Sequence, residues 1–326
     1  MIIELPKTPL AENVAYDFER FAKHSFVEKG TTREHRRAIL RILIHYIEGG
    51  MCFPDVRLGY GQEKVQSILS KLEGYLADFG SDETAAWAVA TIYSYLEFHE
   101  KQGAPISDVT EKLDQLRDLV TDVSAGGVEE VTREEIAAAT DFDFRRFVLA
   151  RHSVRQYTEQ PLSDHEIRRI VRNAQECANV CNRQTVKTYA FNDYAVVQEL
   201  LTHQAGNAGF RNEIRTLFIV SANMAHMNLI GERYQAWIDG GIFAQTLALS
   251  IHAEGLGACF LNWSVEKETD IALRQLVGIP DNEVVITFMS AGHLKERFNV
   301  PTSARKPLDH ALELNPPLAR KSAPDP

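Results

Sequence analysis

The chain has 326 residues, 44% of them hydrophobic and 25% charged, the profile of a globular protein long enough for one large domain or two ordinary ones. Its formal net charge of -10 argues against a general phosphate-backbone binder, which needs Lys and Arg in excess on one face.

From Tyr16 to about Leu119 the apolar periodicity is helical. Ile39, Ile42, Leu43, Tyr46 and Ile47 line one face of a first helix, and Val65, Ile68, Leu69, Leu72 and Leu76 line another. The stretch from Gly49 to Gly61 is rich in glycine, holds Pro54, and continues neither helix. A further helix through Ala85, Val89, Ile92, Tyr93 and Leu96 stops near Gly103-Ala104-Pro105. Ser124-Ala125-Gly126-Gly127 reads as a linker, after which Thr132 and Glu135 have capping-box spacing. The expected organisation is an all-helical domain over 1–125, a mixed domain over 126–310, and an extended or disordered tail over 311–326.

The mixed domain opens with a second capping box, Ser163 to Glu166, and a helix carrying Ile167, Ile170, Val171 and Ala174. Strands are expected at 186–191, 217–221, 258–263 and 284–291. A helix from Tyr234 to Glu254 is apolar on most sides, as in a domain interior or at a subunit contact. The cysteines Cys52, Cys177, Cys181 and Cys259 form neither a CxxC pair nor a disulfide framework and read as reduced thiols. Two thiols without an adjacent His are no metal ligand set, so no metal site is expected. The N-terminus carries early Glu and Asp and no basic segment before an apolar run. No apolar stretch approaches bilayer length, so the expected location is the cytoplasm.

Several segments carry chemistry. In Arg151-His152-Ser153-Val154-Arg155 two guanidiniums stand four apart, on one face if the segment is helical, and with Ser153 they can bind one anion. Asn182 and Gln184 lie in Cys177-Ala178-Asn179-Val180-Cys181-Asn182-Arg183-Gln184, and an amide can both donate and accept along a flat polar edge. Capping of the preceding helix explains the same amides equally well. Gly255 is either a helix C-cap or a close approach of backbone to a ring, and the two readings are compatible. Neither a GxGxxG after a strand nor a P-loop pattern occurs.

These segments, in this order, resemble the nitroreductase family of FMN flavoproteins. Arg151-His152-Ser153-Val154-Arg155 is similar to the family's opening motif. Asn182 and Gln184 stand where its Pro-Ser-Ser-x-Asn-x-Gln-Pro loop has them, while Ala178, Asn179, Val180 and Thr185 depart from it, Asn179 remaining a candidate cofactor contact in place of the first serine. Glu254-Gly255-Leu256-Gly257 matches a helix end leading into a core strand. Arg305 matches a terminal basic residue at the FMN phosphate, with Ser303 in place of a lysine. Asn207 stands where relatives present an amide to the ring.

The resemblance implies an α+β sandwich with a mainly antiparallel central sheet wrapped by helices, preceded here by the all-α domain. It implies a homodimer with one FMN in each of two shared clefts, and ping-pong hydride transfer from NAD(P)H to a small-molecule acceptor. Arg151, Ser153 and Arg305 are then expected at the phosphate. His152, Asn182 and Asn207 are expected at the ribityl chain or ring edge, and Arg155 beside flavin N1 and the C2 carbonyl. Glu254 is expected near the cofactor or nicotinamide.

His45-Tyr46-Ile47-Glu48 through Arg57-Leu58-Gly59-Tyr60-Gly61 resembles a motif in front of nitroreductase domains from polysaccharide-biosynthesis gene clusters, with Gly49 replacing a lysine. His45, Glu48 and Arg57 form either an internal hydrogen-bonded brace or a roof over the flavin. An FMN-binding or accessory protein without turnover is the other reading of the whole chain.

Overall fold

The computed structural model describes residues 8–27, 30–123 and 125–318. Ser124 of the expected linker, part of the N-terminus (1–7) and part of the expected tail (319–326) lie outside the described residues.

Five helices open the chain: α1 (Pro9–His24), α2 (Arg33–Met51), α3 (Gln62–Phe79), α4 (Glu83–Lys101) and α5 (Thr110–Arg117). α2 starts where Thr32 and His35 close a reciprocal cap, and α4 where the Asp82 carboxylate accepts the Thr84 and Ala85 N–H groups. The 3.6-residue stripes of α2, α3 and α4 meet in one core containing Leu40, Ile44, Ile47, Ile68, Leu72, Val89 and Ile92.

The expected brace forms only at Glu48, whose carboxylate accepts from Thr91 Oγ1 at 3.0 Å and Gly127 N–H at 3.1 Å. His45 and Arg57 are exposed and take no part, because His45 lies on the outward side of α2 and Arg57 in the loop beyond it. α1 leaves this bundle and lies on the second half of the chain. Tyr16 Oη donates to Asp270 at 2.7 Å, and Arg20, buried, reaches the carbonyls of Asp281 and Glu283.

Two short helices follow, α6 (Arg133–Ala139) and α7 (Phe144–Ala150), with no buried residue in either. The mixed region then runs α8 (Asp164–Gln175), β1 (Val186–Phe191), α9 (Tyr194–Leu200), β2 (Thr216–Asn223), α10 (Gln235–Ala253), β3 (Gly257–Asn262), α11 (Lys267–Val277) and β4 (Glu283–Gly292). The strands form one antiparallel sheet in the order β1-β2-β4-β3.

Alternation along the strands serves two cores. Phe218, Val220, Met289 and Ala291 face α8 and α10, whereas Leu217, Ile219, Val285 and Phe288 face α9, Trp263 and Leu273 of α11. This is the α+β sandwich expected from the sequence. α10 is buried along one side: Phe243, Leu247 and Ile251 pack inward, while Ile238 is 52% and Ile242 40% exposed. Residues 301–318 lie exposed, with one short turn of helix at Leu308–His310. Among the described residues no helix is long and apolar enough to cross a membrane.

Candidate functional site

The segment from Arg151 to Arg155 is extended, so the helical condition for face-sharing at a spacing of four is not met. Arg151 caps the end of α7 in an extended conformation. Ser153 then forms a parallel bridge with Ala258 of β3, and Val154 N–H donates to the Ala258 carbonyl at 2.9 Å. The free edge of β3 offers hydrogen bonds that a further helical turn could not satisfy, so the chain extends along it.

An extended chain has period two, so Arg151, Ser153 and Arg155 still share a side, with Val154 buried on the other. At Gly257 any side chain would collide with Val154 and Leu294, which is why β3 can lie so close to this segment. The three polar residues gather about Cys259 of β3: burial raises its thiol pKa above the ordinary value, and Arg155, Arg151 and Ser153 oppose that shift.

Arg155 makes one long hydrogen bond to the Ser153 carbonyl, at 3.4 Å, and stands over the Phe210 ring. Among the described residues neither Arg155 nor Arg151 is paired with a carboxylate. His152 is exposed. Arg305 is exposed in the terminal segment, where it donates to the Ser303 carbonyl.

The second group of expected residues sits at the end of α8. Cys181, Asn182 and Gln184 all have positive φ, at 48°, 47° and 51°, a left-handed conformation that costs a residue with a side chain about 1 kcal/mol. The turn is held by its surroundings. Asn179 Oδ1 accepts the Gln184 N–H at 2.8 Å, Gln184 Nε2 donates to Asn182 Oδ1, and the Asp239 carboxylate of α10 accepts the Val180 N–H. Burial raises the Asp239 pKa in spite of donors from Gln235 and Val180. Asn179, Asn182 and Gln184 line an open pocket of about 420 Å³ with Gln175, Glu176 and Cys177. A larger groove, about 510 Å³, runs between α8 and β1 past Arg168, Arg172 and Asn192, and none of the expected site residues lines it.

Between Asn182 and Gln184, Arg183 turns inward and is 2% exposed. Its guanidinium donates to the His226 carbonyl at 2.7 Å and to both oxygens of Glu232. Burial raises the Glu232 pKa, but Arg183 and the N–H groups of Asn228 and Leu229 more than reverse this and leave it below the ordinary value. The Arg183 carbonyl accepts from Arg41 of α2 at 2.6 Å. Beside it, His226 meets Glu34 of α2 at 2.9 Å, and burial lowers the imidazole pKa although Glu34 opposes the shift. Sequence reading passed over Arg183, Arg41, Glu34, His226 and Glu232, because their partners lie far along the chain. The only local sign is a charged residue between two loop amides.

Asn207 is buried, and its amide nitrogen donates to the carbonyl of Leu201 and to Gln204, bracing its own loop. Glu254 receives both arms of Arg169, from Nε at 2.7 Å and from Nη2. Gly255 has φ +72°; its N–H reaches the His252 carbonyl and that of Leu256 the Ile251 carbonyl, closing a Schellman end to α10. A Cβ at Gly255 would meet nothing within 4 Å, so one side of this backbone is open. The structure therefore brings Arg151, Ser153 and Arg155 together, and separately Asn179, Asn182 and Gln184. Among the described residues no hydrogen bond joins the two groups, and the pocket lined by Asn179, Asn182 and Gln184 includes none of Arg151, Ser153 and Arg155. All four cysteines are free, and the described residues contain no group of three or more His, Cys, Asp or Glu placed to hold a metal ion.

Residues 148–211 and 204–293 match the model of the nitroreductase family. The "Putative NADH dehydrogenase/NAD(P)H nitroreductase" of Archaeoglobus fulgidus is 25% identical over 46% of this chain and 85% of its own length. The NADPH-flavin oxidoreductase of Vibrio harveyi is 24% identical over 45% of this chain and 63% of its own. Among solved structures, an FMN-dependent nitroreductase from Clostridium difficile superposes with a TM-score of 0.43 at 19% identity, covering 52% of this chain and 98% of that one. The two matched stretches together span residues 148–293, under half of the chain, and it is this region that is similar to nitroreductase-family oxidoreductases.

Proposed function

We propose that the protein is an FMN-dependent oxidoreductase that draws reducing equivalents from NAD(P)H and passes them to a small electron acceptor, working as a homodimer with two shared flavin sites. The observation that carries this reading is the row of Arg151, Ser153 and Arg155 on one side of an extended segment, with both guanidiniums unpaired by carboxylates among the described residues.

The residues fit the cofactor. A phosphate calls for cations not already neutralised, and the pyrimidine edge of a flavin calls for amides that both donate and accept. Arg151, Ser153 and Arg305 supply the first, and Asn182 and Gln184, exposed on their turn, supply the second. His152 and Asn179 extend the polar contacts of the two groups. Gly255, with open space beside it, lets backbone come close to a flat ring.

When bound, FMN supplies the two-electron chemistry, accepting hydride from NAD(P)H and returning it to the acceptor that next occupies the same place. The side chains bind, orient and polarise. The fixed positive charge of Arg155 favours electron density on the ring next to it. Glu254, already paired with Arg169, closes the end of α10 without adding an unpaired negative charge beside the cofactor. We assign no side chain as a proton donor.

A dimer accounts for surface that a single chain leaves bare. Ile238 and Ile242 of α10, Phe142, Phe144 and Leu149 of the α6–α7 arm, and Leu308, Leu312 and Leu314 of the terminal segment are all exposed. Patches of this kind mark interaction sites. It also accounts for two half-sites that do not meet within one chain, since each can pair with the complementary half of a partner.

The test is purification and titration with FMN. A yellow protein that retains about one FMN per chain, bleaches with NADH or NADPH under anaerobic conditions and recovers its colour with a quinone or nitroaromatic supports the proposal. A colourless protein that takes up no added FMN contradicts it.

A further inference from the structure

Among the described residues one hydrogen bond joins the helical domain to the candidate site itself, at the carbonyl of Arg183. Arg183 is the pivot of the left-handed turn: its side chain is buried on the Glu232 carboxylate, while its neighbours Asn182 and Gln184 stand out in the pocket. Arg41 takes the Arg183 carbonyl at 2.6 Å. The remaining donors of Arg41 go to Thr84 Oγ1 and Glu83 Oε1, both at 3.0 Å, and its guanidinium stacks on Trp87 at 4.9 Å. Arg41 is thus fixed on α4 before it reaches the loop, which makes it a rigid donor rather than a mobile surface charge.

Three residues with side chains in the left-handed region within four positions need this kind of outside support. Asn179 and Asp239 support the turn at its first and last N–H groups. Arg41 is the support at its centre, and it comes from a domain that the family match at 148–293 does not include.

We propose that Arg41 is a positioning residue for the flavin site: by holding the Arg183 carbonyl it keeps the 181–184 turn in the conformation that presents Asn182 and Gln184 to the cofactor. The role of the helical domain is then to tune the flavin-contacting loop, with no need for any of its own side chains to touch the ring. This rests on the proposed FMN site.

The experiment compares FMN dissociation constants, by quenching of flavin fluorescence, for the full-length wild type and the variants Arg41→Met, Arg41→Lys and Tyr16→Phe. Tyr16 joins the same two parts of the chain through Asp270 and Arg274, away from the loop, so Y16F reports the loss of a domain contact alone. R41M is expected to weaken FMN binding by roughly tenfold or more, the factor that corresponds to a lost charge-assisted hydrogen bond. Its visible circular dichroism should change because the ring environment changes. R41K, which keeps the charge but loses the planar fork that spans Thr84, Glu83 and the Arg183 carbonyl, should fall between R41M and wild type, and Y16F should match wild type.

Equal affinity and spectra for wild type and R41M, or equal weakening by R41M and Y16F, would overturn the proposal. Should R41M fail to fold, R41K is judged against Y16F: weakening beyond about threefold supports the role, and affinity equal to wild type refutes it. A wild type that binds no FMN removes the flavin site and this role together, whereas equal uptake by all variants removes this role alone.

Discussion

The strand-like segment 151–155 and the turn 179–184 present the two halves of the candidate site, and they are held by different forces. The first rests on backbone hydrogen bonds along β3, with Val154 as its anchor, and among the described residues its charged groups have no carboxylate partner. The second rests on long-range side-chain contacts: Arg183 with Glu232, Asp239 with Val180, and Arg41 with the Arg183 carbonyl. Charges in the first half are therefore available to a ligand at little cost to the fold, while charges around the second half are committed to the fold.

The largest expected effect breaks the second half. Glu232→Ala leaves the Arg183 guanidinium buried without its carboxylate, and removing one partner of a buried pair costs about 3–5 kcal/mol. Urea unfolding should show that loss, and a change below about 1 kcal/mol would mean that the pair is not structural.

The double variant Arg151→Leu, Arg155→Leu attacks the first half. FMN affinity should fall by roughly a hundredfold or more, two charge-assisted contacts being lost, with the unfolding midpoint little changed because neither side chain is buried. A variant that unfolds instead would show that these guanidiniums hold the edge of β3. Gly255→Ala should destabilise by about 1 kcal/mol through its left-handed φ alone, since there is room for the methyl group; a larger loss in calorimetry would reveal a hidden clash.

Acid sharpens the comparison further. Hydrogen bonding to His226 lowers the pKa of Glu34, and Lys23 and His24 hold Asp281 far below the usual carboxylate range. Glu232 is also lowered, by Arg183 and two N–H groups against the effect of burial. A carboxyl with a depressed folded-state value contributes stability that is present above its unfolded value, about 4 to 4.5, and is lost as pH falls through the folded value. Thermal melts should therefore decline below about pH 4.5, less steeply in E232A than in wild type. A parallel decline in both would place the acid sensitivity elsewhere.

The same contrast explains what could be read in advance. Strand 186–191, the capping boxes at Thr132 and Ser163, and the glycine end of α10 are local patterns, and each stands where the sequence places it. The conformation of 151–155 is open in the sequence because a spacing of four fits both a helix and an extended chain, where alternate residues share a side, and only the exposed edge of β3 decides between the two. Arg41 and Arg183 escaped notice because their meeting spans 142 residues of sequence. α10 reads as a helix of a domain interior or a subunit contact, and within one chain it is buried at Phe243, Leu247 and Ile251 and bare at Ile238 and Ile242, since hydrophobicity alone does not say which side of a helix meets its own domain.

Subunit complementation tests the shared site most directly. One protomer carries Arg151→Leu and Arg155→Leu, the other Asn182→Ala and Gln184→Ala, and differently tagged copies are co-expressed so that the mixed dimer can be isolated. Each mutant homodimer should lose its flavin, while the mixed dimer, in which one cleft joins two intact halves, should recover roughly half of the wild-type FMN content. A mixed dimer as colourless as its parents would contradict a site built from two chains.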